Sequence, residues 1–113
     1  MNDGEKIVME SMNIIVQAGE ARDCVMKSLD DIAANDFISA EKNLNNAKDK
    51  ITAAHNIQTE IIQTAIREEE KDYNILFSHA QDTLMSITSE MNIADKLLGI
   101  IKNIDMRLKK LEK

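Results

Sequence analysis

The sequence predicts an all-α fold, an antiparallel three-helix up-down-up bundle, on three observations. The 113 residues include no proline, only three glycines and two phenylalanines, and 30% of them are charged. A chain so rich in Ala, Leu, Ile, Met, Glu and Lys favours helix along nearly all of its length. Apolar residues recur at spacings of three and four, and nowhere do they alternate as a half-buried strand requires. Finally, the pattern breaks in only two places, which leaves three long segments within one domain spanning 1–113.

The first segment, about 4–34, carries Ile7, Ile14, Ala18, Ala21, Val25, Leu29 and Ile32 near heptad spacing. It stops at "AANDF" (33–37), where Asn35 and Asp36 are poor helix interiors and Asp36 is a good N-cap for the next helix. The second segment, about 37–66, presents Ala40, Leu44, Ala47, Ile51, Ala54, Ile57, Ile61 and Ala65. The charge run "REEEKDYN" (67–74) has no apolar period and ends it; Asp72 or Asn74 can cap the third segment. That segment, about 74–111, presents Phe77, Ala80, Leu84, Ile87, Met91, Ala94, Leu98, Ile101 and Leu108. Stripes this long describe helices of about 40–55 Å packed at a shallow angle. Short connections make sequential helices antiparallel. The third helix carries a second apolar set, Ile75, Leu76, Ile93, Leu97, Ile100 and Ile104. Self-association through this helix and an unusually wide core face each account for that surplus.

Composition removes several function classes. A net charge of −6 repels nucleic-acid phosphates, and no basic patch with interleaved aromatics offsets it. Cys24 is the only cysteine, so neither an intrachain disulfide nor a thiolate metal cluster forms, which fits a reducing, cytoplasmic setting. Beside an apolar stripe, Cys24 reads as core. The acid-punctuated N-terminus lacks the basic start and apolar run of a signal peptide. Apolar runs of a few residues are far short of a membrane span, so a soluble, intracellular protein is expected. Glu68 to Glu70 read as a solvated loop.

The segment "NILFSHAQDTLMSI" (74–87) sets His79, Asp82 and Thr83 along one helical stripe in apolar company. His79 has three readings. It is a half-buried histidine bonded to a neighbour, a metal ligand, or a phosphoryl acceptor. Zinc is disfavoured, because His55 is the one other imidazole. The third reading needs only an imidazole, which is a competent nucleophile near pH 7, and a partner that aligns the transfer. The chain has no glycine-rich phosphate loop, metal-ligand helix motif or nucleophile elbow to support other chemistry. Asp82 either orients the imidazole, meets solvent, or approaches symmetry mates in an oligomer. Converging carboxylates demand protons or a hard cation such as Mg²⁺.

The stretch "HAQDTLM" (79–85) resembles the motif His-Ala-Gln-Asp-His-Leu-Met of the enzyme IIA component of the lactose/cellobiose (N,N'-diacetylchitobiose) branch of the phosphoenolpyruvate-dependent sugar phosphotransferase system. Two further stretches support it. "GEARDCVMKSLDDIAANDFISAEKNLNNAK" resembles that family's first hairpin, and "AAHNIQTEIIQ" (53–63) resembles its Ala-His-x-x-Gln-Thr segment. The likeness spans about residues 8 to 110. It implies a homotrimer of three-helix protomers closing a nine-helix bundle. It implies that His79 takes a phosphoryl group from the phosphocarrier HPr, as tele-phosphohistidine, and passes it to a cysteine of enzyme IIB. A lactose- or cellobiose-type disaccharide is then phosphorylated as it enters through the membrane component IIC. Asp82, one per protomer, becomes the ligand of Mg²⁺ or another divalent cation on the trimer axis. Gln81 and Thr83 become supporting residues.

One position departs from the motif: Thr83 stands where the family usually has a second histidine. Its hydroxyl can still donate a hydrogen bond to phosphate, but it adds no titratable ring. His55 falls in the helix-two segment without being the family's phosphorylation site, and reads as structural. Two other functions compete. One is a histidine-phosphotransfer domain of a two-component relay, although such domains place Lys and Gly after the histidine, where Gln81, Asp82 and Thr83 stand. The other is a helical adaptor in which His79 is inert.

Overall fold

The protein's structure, a computed structural model, describes residues 3–67 and 74–112. Three helices account for nearly all of them: α1 (Asp3–Ala33), α2 (Phe37–Arg67) and α3 (Ile75–Leu111). The described residues contain no strand. The bounds fall within one residue of those read from the apolar period. The bundle is a rod of 66 × 18 × 17 Å, with a radius of gyration of 18.3 Å. A globular chain of this length would have about 13 Å.

Local chemistry sets each helix end. Asn35 adopts φ 59°, the left-handed conformation that Asn tolerates better than most residues. There its N–H donates to the Ile32 carbonyl at 3.0 Å, and the Asp36 N–H donates to the Asp31 carbonyl at 2.9 Å. This pair of bonds is a Schellman closure of α1. The next residue opens α2 at once: the Asp36 carboxylate accepts the Ser39 N–H at 3.2 Å. Asn74 caps α3 by accepting the Phe77 N–H at 3.0 Å. The alternative cap at Asp72 and the acidic stretch Glu68 to Glu70 lie outside the described residues. Lys109 and Lys110 complement the C-terminal dipole of α3.

The core is the predicted stripe, built largely of alanine with a few large side chains. Ala18, Ala21, Ala40, Ala47, Ala54, Ala80 and Ala94 are buried beside Ile14, Val25, Leu44, Leu84 and Ile87. Two serines that an apolar reading passes over, Ser11 and Ser28, are also fully buried. Ser28 donates to the Val25 carbonyl at 2.6 Å. Ile7, Leu29, Ile57, Phe77 and Ile101 flank the core half-buried.

Polar pairs across the seams fix the register. Lys50 reaches Glu20 at 2.6 Å between α2 and α1, and Arg22 reaches Glu90 at 2.6 Å between α1 and α3. Lys48–Asp95 (3.4 Å) and Lys102–Glu41 (3.5 Å) join α2 to α3. Between α2 and α1, Asn43 also donates to Asp31 at 2.7 Å. The hydrogen bond and charge of Glu20 hold the Lys50 ammonium above its ordinary pKa. Exposed pairs of this kind contribute little to stability. Their use is directional: α1 and α3 run parallel, α2 runs against both, and the start of α1, the end of α2 and the start of α3 share one end.

Two expectations change. Leu108, assigned to the core stripe, is 52% exposed. The α2–α3 register sets Phe37 opposite about residue 106, so the last turn of α3 overhangs with nothing to pack on. The second apolar set of α3 is not absorbed by a wide core face. Ile75, Ile93, Leu97, Ile100 and Ile104 remain exposed in the protomer, and Leu76 is half-buried.

Leu84→Ala, at a fully buried position, should lower stability by about 2–5 kcal/mol in urea unfolding. Asn35→Ala should cost about 1 kcal/mol, whereas Asn35→Gly should lose nothing, because only the β-carbon conflicts with the left-handed turn. Equal losses for the Ala and Gly variants would remove that turn from the account of the hairpin.

Candidate functional site

His79 stands on the second turn of α3, at the end where α1 starts and α2 finishes. Its chain neighbour Ala80 is fully buried, which anchors the backbone under it, while His79 itself is exposed. The helical advance of about 100° per residue fixes what lies beside it. Thr83 falls about 40° from His79 around the axis, and Asp82 about 60°. The three therefore share one flank, as the sequence pattern predicts. Gln81, expected as a second supporting residue, falls about 160° away, and a single protomer does not bring it to His79.

Thr83 differs from expectation in what its hydroxyl does. Its Oγ1 donates to the His79 carbonyl at 2.9 Å, one turn back. The single hydroxyl hydrogen is thereby engaged by the backbone, so in this rotamer Thr83 offers a phosphate only lone pairs. Asp82 is exposed on the same face as the apolar residues Ile75, Ile93 and Ile100. Among the described residues no group of three His, Cys, Asp or Glu side chains is placed to hold a metal ion. Among the described residues of one protomer, Asp82 stands at this point without two further such side chains.

The other candidates lie apart. His55 is half-buried in α2, and the register sets His79 opposite about residue 64, about 13 Å along the axis from His55. The two imidazoles do not meet within the protomer. Cys24 packs half-buried against the core. A cavity of about 30 Å³ between α1 and α2, lined by Lys6, Ile7, Glu10, Glu60, Ile61 and Thr64, has room for about one water.

Sequence reasoning passed over two features at this end. Ser11 Oγ and Gln58 Oε1 are buried without a hydrogen-bond partner among the described residues. Val8, Met9, Met12 and Val16 leave an exposed apolar strip on α1. The strip's signal was present as a four-residue spacing, Val8, Met12, Val16, offset from the core stripe.

Chemically, the arrangement is an exposed imidazole on a helix, and among the described residues no group of three potential metal ligands stands around it. Such a group can accept and return a transferable group when a partner supplies the alignment.

Comparison with known proteins gives this arrangement its family. Residues 9–102 match the family described as PTS system, Lactose/Cellobiose specific IIA subunit. The chain is 32% identical over 100 residues to the lactose-specific EIIA component of Lacticaseibacillus casei, covering 88% of this chain and 89% of that protein. It superposes on the PTS cellobiose-specific enzyme IIA from Bacillus anthracis with TM-score 0.81 and 29% identity, covering 94% of each chain. It shares the fold of the IIA(Chitobiose) in an Escherichia coli IIA(Chitobiose)–HPr complex, with TM-score 0.77, 22% identity and coverage of 93% and 98%. No described helix is long and apolar enough to cross a membrane. The exposed histidine on α3, the three-helix frame that carries it and the matched family together make this chain a member of the lactose/cellobiose-specific IIA subunits of the phosphotransferase system.

Proposed function

We propose that the protein is a cytoplasmic phosphoryl carrier in which His79 accepts a phosphoryl group from phospho-HPr and delivers it to a cysteine of enzyme IIB. The uptake and phosphorylation of a lactose- or cellobiose-type disaccharide complete the sequence of transfers. The observation that carries this reading is the exposure of His79 on a helix whose neighbouring Ala80 is locked into the core. A carrier must present its nucleophile to two successive proteins, and an enclosed pocket would hinder both. In the first transfer a His79 ring nitrogen, expected to be Nε2, forms a bond to phosphorus as the donor's N–P bond breaks and its electron pair returns to the donor ring. In the second the cysteine thiolate forms an S–P bond as the His79–phosphorus bond breaks. Alignment and electrostatics carry most of the work in such transfers. Family membership supports this reading over a two-component phosphotransfer domain and over an inert adaptor.

The working assembly we propose is a homotrimer closed through α3. The exposed ridge of Ile75, Asp82, Ile93, Leu97, Ile100 and Ile104 runs along most of that helix. It is the kind of apolar face that monomers rarely leave open. Three Asp82 carboxylates on the axis would repel one another, and their oxygens are the donors Mg²⁺ prefers. The metal, when bound, neutralises that charge; Asp82 supplies its protein ligand.

His79→Gln should fold normally and take no label from phosphoenolpyruvate, enzyme I and HPr, while His55→Gln should label as wild type does; the label should be acid-labile. Normal labelling of His79→Gln would end the assignment. Asp82→Leu should keep or strengthen the trimer and abolish its sensitivity to chelator, as read by sedimentation with helicity followed in parallel. A wild-type monomer at micromolar concentration with Mg²⁺ supplied would refute the trimer, and indifference to chelator would remove the cation. Thr83→His should change the transfer rate or the phosphohistidine lifetime modestly, whereas Thr83→Val, which removes only the hydroxyl bonded to the backbone, should change neither by more than about threefold. An unchanged rate and lifetime in Thr83→His would make Thr83 a neutral replacement.

A further inference from the structure

We propose that the end of the rod opposite His79 is a docking surface for an anionic membrane face, which it meets end-on. Its tip combines exposed apolar side chains with a basic collar. Ile38, on the first turn of α2, is 86% exposed, more than any other large apolar residue described. Met106 on α3 is 55% exposed. The α2–α3 register sets Ile38 opposite about residue 105, so the two stand at one level. Arg107, Lys109 and Lys110 are exposed on the turn of α3 that overhangs just beyond them.

The apolar part of this tip is separate from the α3 ridge proposed for the trimer. Helical advance puts Met106 about 160° around the axis from Ile104. Met106 also follows Lys102 by one turn, and Lys102 reaches Glu41, so Met106 lies on the α2 flank. Leu108 and Leu111 continue the ridge and are left to the contact between copies. The C-terminal dipole of α3 accounts for lysines in its last turn, but not for bare Ile38 and Met106 beside them.

Charge selects the surface. The chain carries −6, but at physiological ionic strength a charge is screened within about 8 Å, so a planar surface met end-on senses the tip alone. There most of the acids are engaged: Asp36 caps Ser39, Glu41 pairs with Lys102, and Asp105 pairs with Lys109 at 3.1 Å. Arg107 and Lys110 have no ion-pair partner among the described residues, and Glu112 is the one acid of the overhang. Their long side chains suit lipid phosphates, while Ile38 and Met106 enter the headgroup boundary. Extent points the same way. A rod 18 × 17 Å across ends in a tip of roughly 300 Å², well short of the ~800 Å² per partner of a stable protein interface. A fluid lipid surface needs no such area, and in the proposed trimer three tips face one way and their weak contacts add. His79 lies about 48 Å from Leu111 along α3, so a chain seated end-on leaves it open.

The test is flotation of the full chain with vesicles of equal parts phosphatidylglycerol and phosphatidylcholine, against vesicles of phosphatidylcholine alone. Wild type should float with the anionic vesicles only, and high salt should release it. Arg107→Glu combined with Lys110→Glu should lower partitioning about tenfold, and Ile38→Ser about threefold. Lys6→Glu combined with Arg67→Glu makes the same change of charge at exposed positions of the histidine end, and should stay within about twofold of wild type. The proposal does not depend on His79 as a carrier: His79→Gln should float as wild type does, and its labelling tests that reading alone. Should the charge variant alter oligomeric state in sedimentation, Ile38→Ser decides, because it lies on another helix than the ridge; undiminished flotation in it would overturn the proposal. So would a wild type that ignores anionic vesicles or floats equally with neutral ones, or an equal loss in the histidine-end control.

Discussion

Close approach of three helices through a seam of alanines is the constraint on which the rest of the structure depends. With Ala18 and Ala21 on α1, Ala47 and Ala54 on α2, and Ala80 and Ala94 on α3, the backbones have little to hold them apart. Dispersion contacts then involve main chain beside the large side chains of Ile14, Leu44, Leu84 and Ile87. The seam is narrow, one stripe per helix, and everything outside it meets solvent. His79 is exposed for that reason: it follows from the placement of Ala80 in the seam, one residue along, and from the fixed turn of the helix.

Because the seam is thin, charge falls on the rim rather than in the interior. The ion pairs between helices join side chains that are substantially exposed, and they contribute orientation more than stability. The one buried polar atom of α1 without a partner among the described residues, Ser11 Oγ, lies near the level of His79, where the bundle opens toward its end.

Much of this was legible in the sequence. Helix bounds, the Asp36 and Asn74 caps and nearly the whole alanine seam follow from period and turn chemistry, which are local properties. Ser11 and Ser28 were missed because an apolar pattern has no place for a hydroxyl that the helix itself can accommodate, as Ser28 shows with the Val25 carbonyl. Leu108 was misplaced for the opposite reason: periodicity continues along α3 after its neighbours have ended, and one helix's pattern does not record where another stops. At the site, helical spacing predicted the shared flank of His79, Asp82 and Thr83 on α3. The bond that Thr83 makes to the His79 carbonyl depends on a rotamer, which a sequence pattern does not record.

The junction of α1 and α2 has a consequence for how the chain folds. Ala34, Asn35 and Asp36 alone separate the two helices, and Asn35 and Asp36 already belong to their caps. Closing so short a loop loses little chain entropy, so the first two helices zip as a local hairpin before distant contacts form. The third helix then docks on a groove already made. Synthesis from the N-terminus favours the same order, since α1 and α2 are complete while α3 is still unmade. The helix that bears His79 is then the last to find its place, on a template already formed.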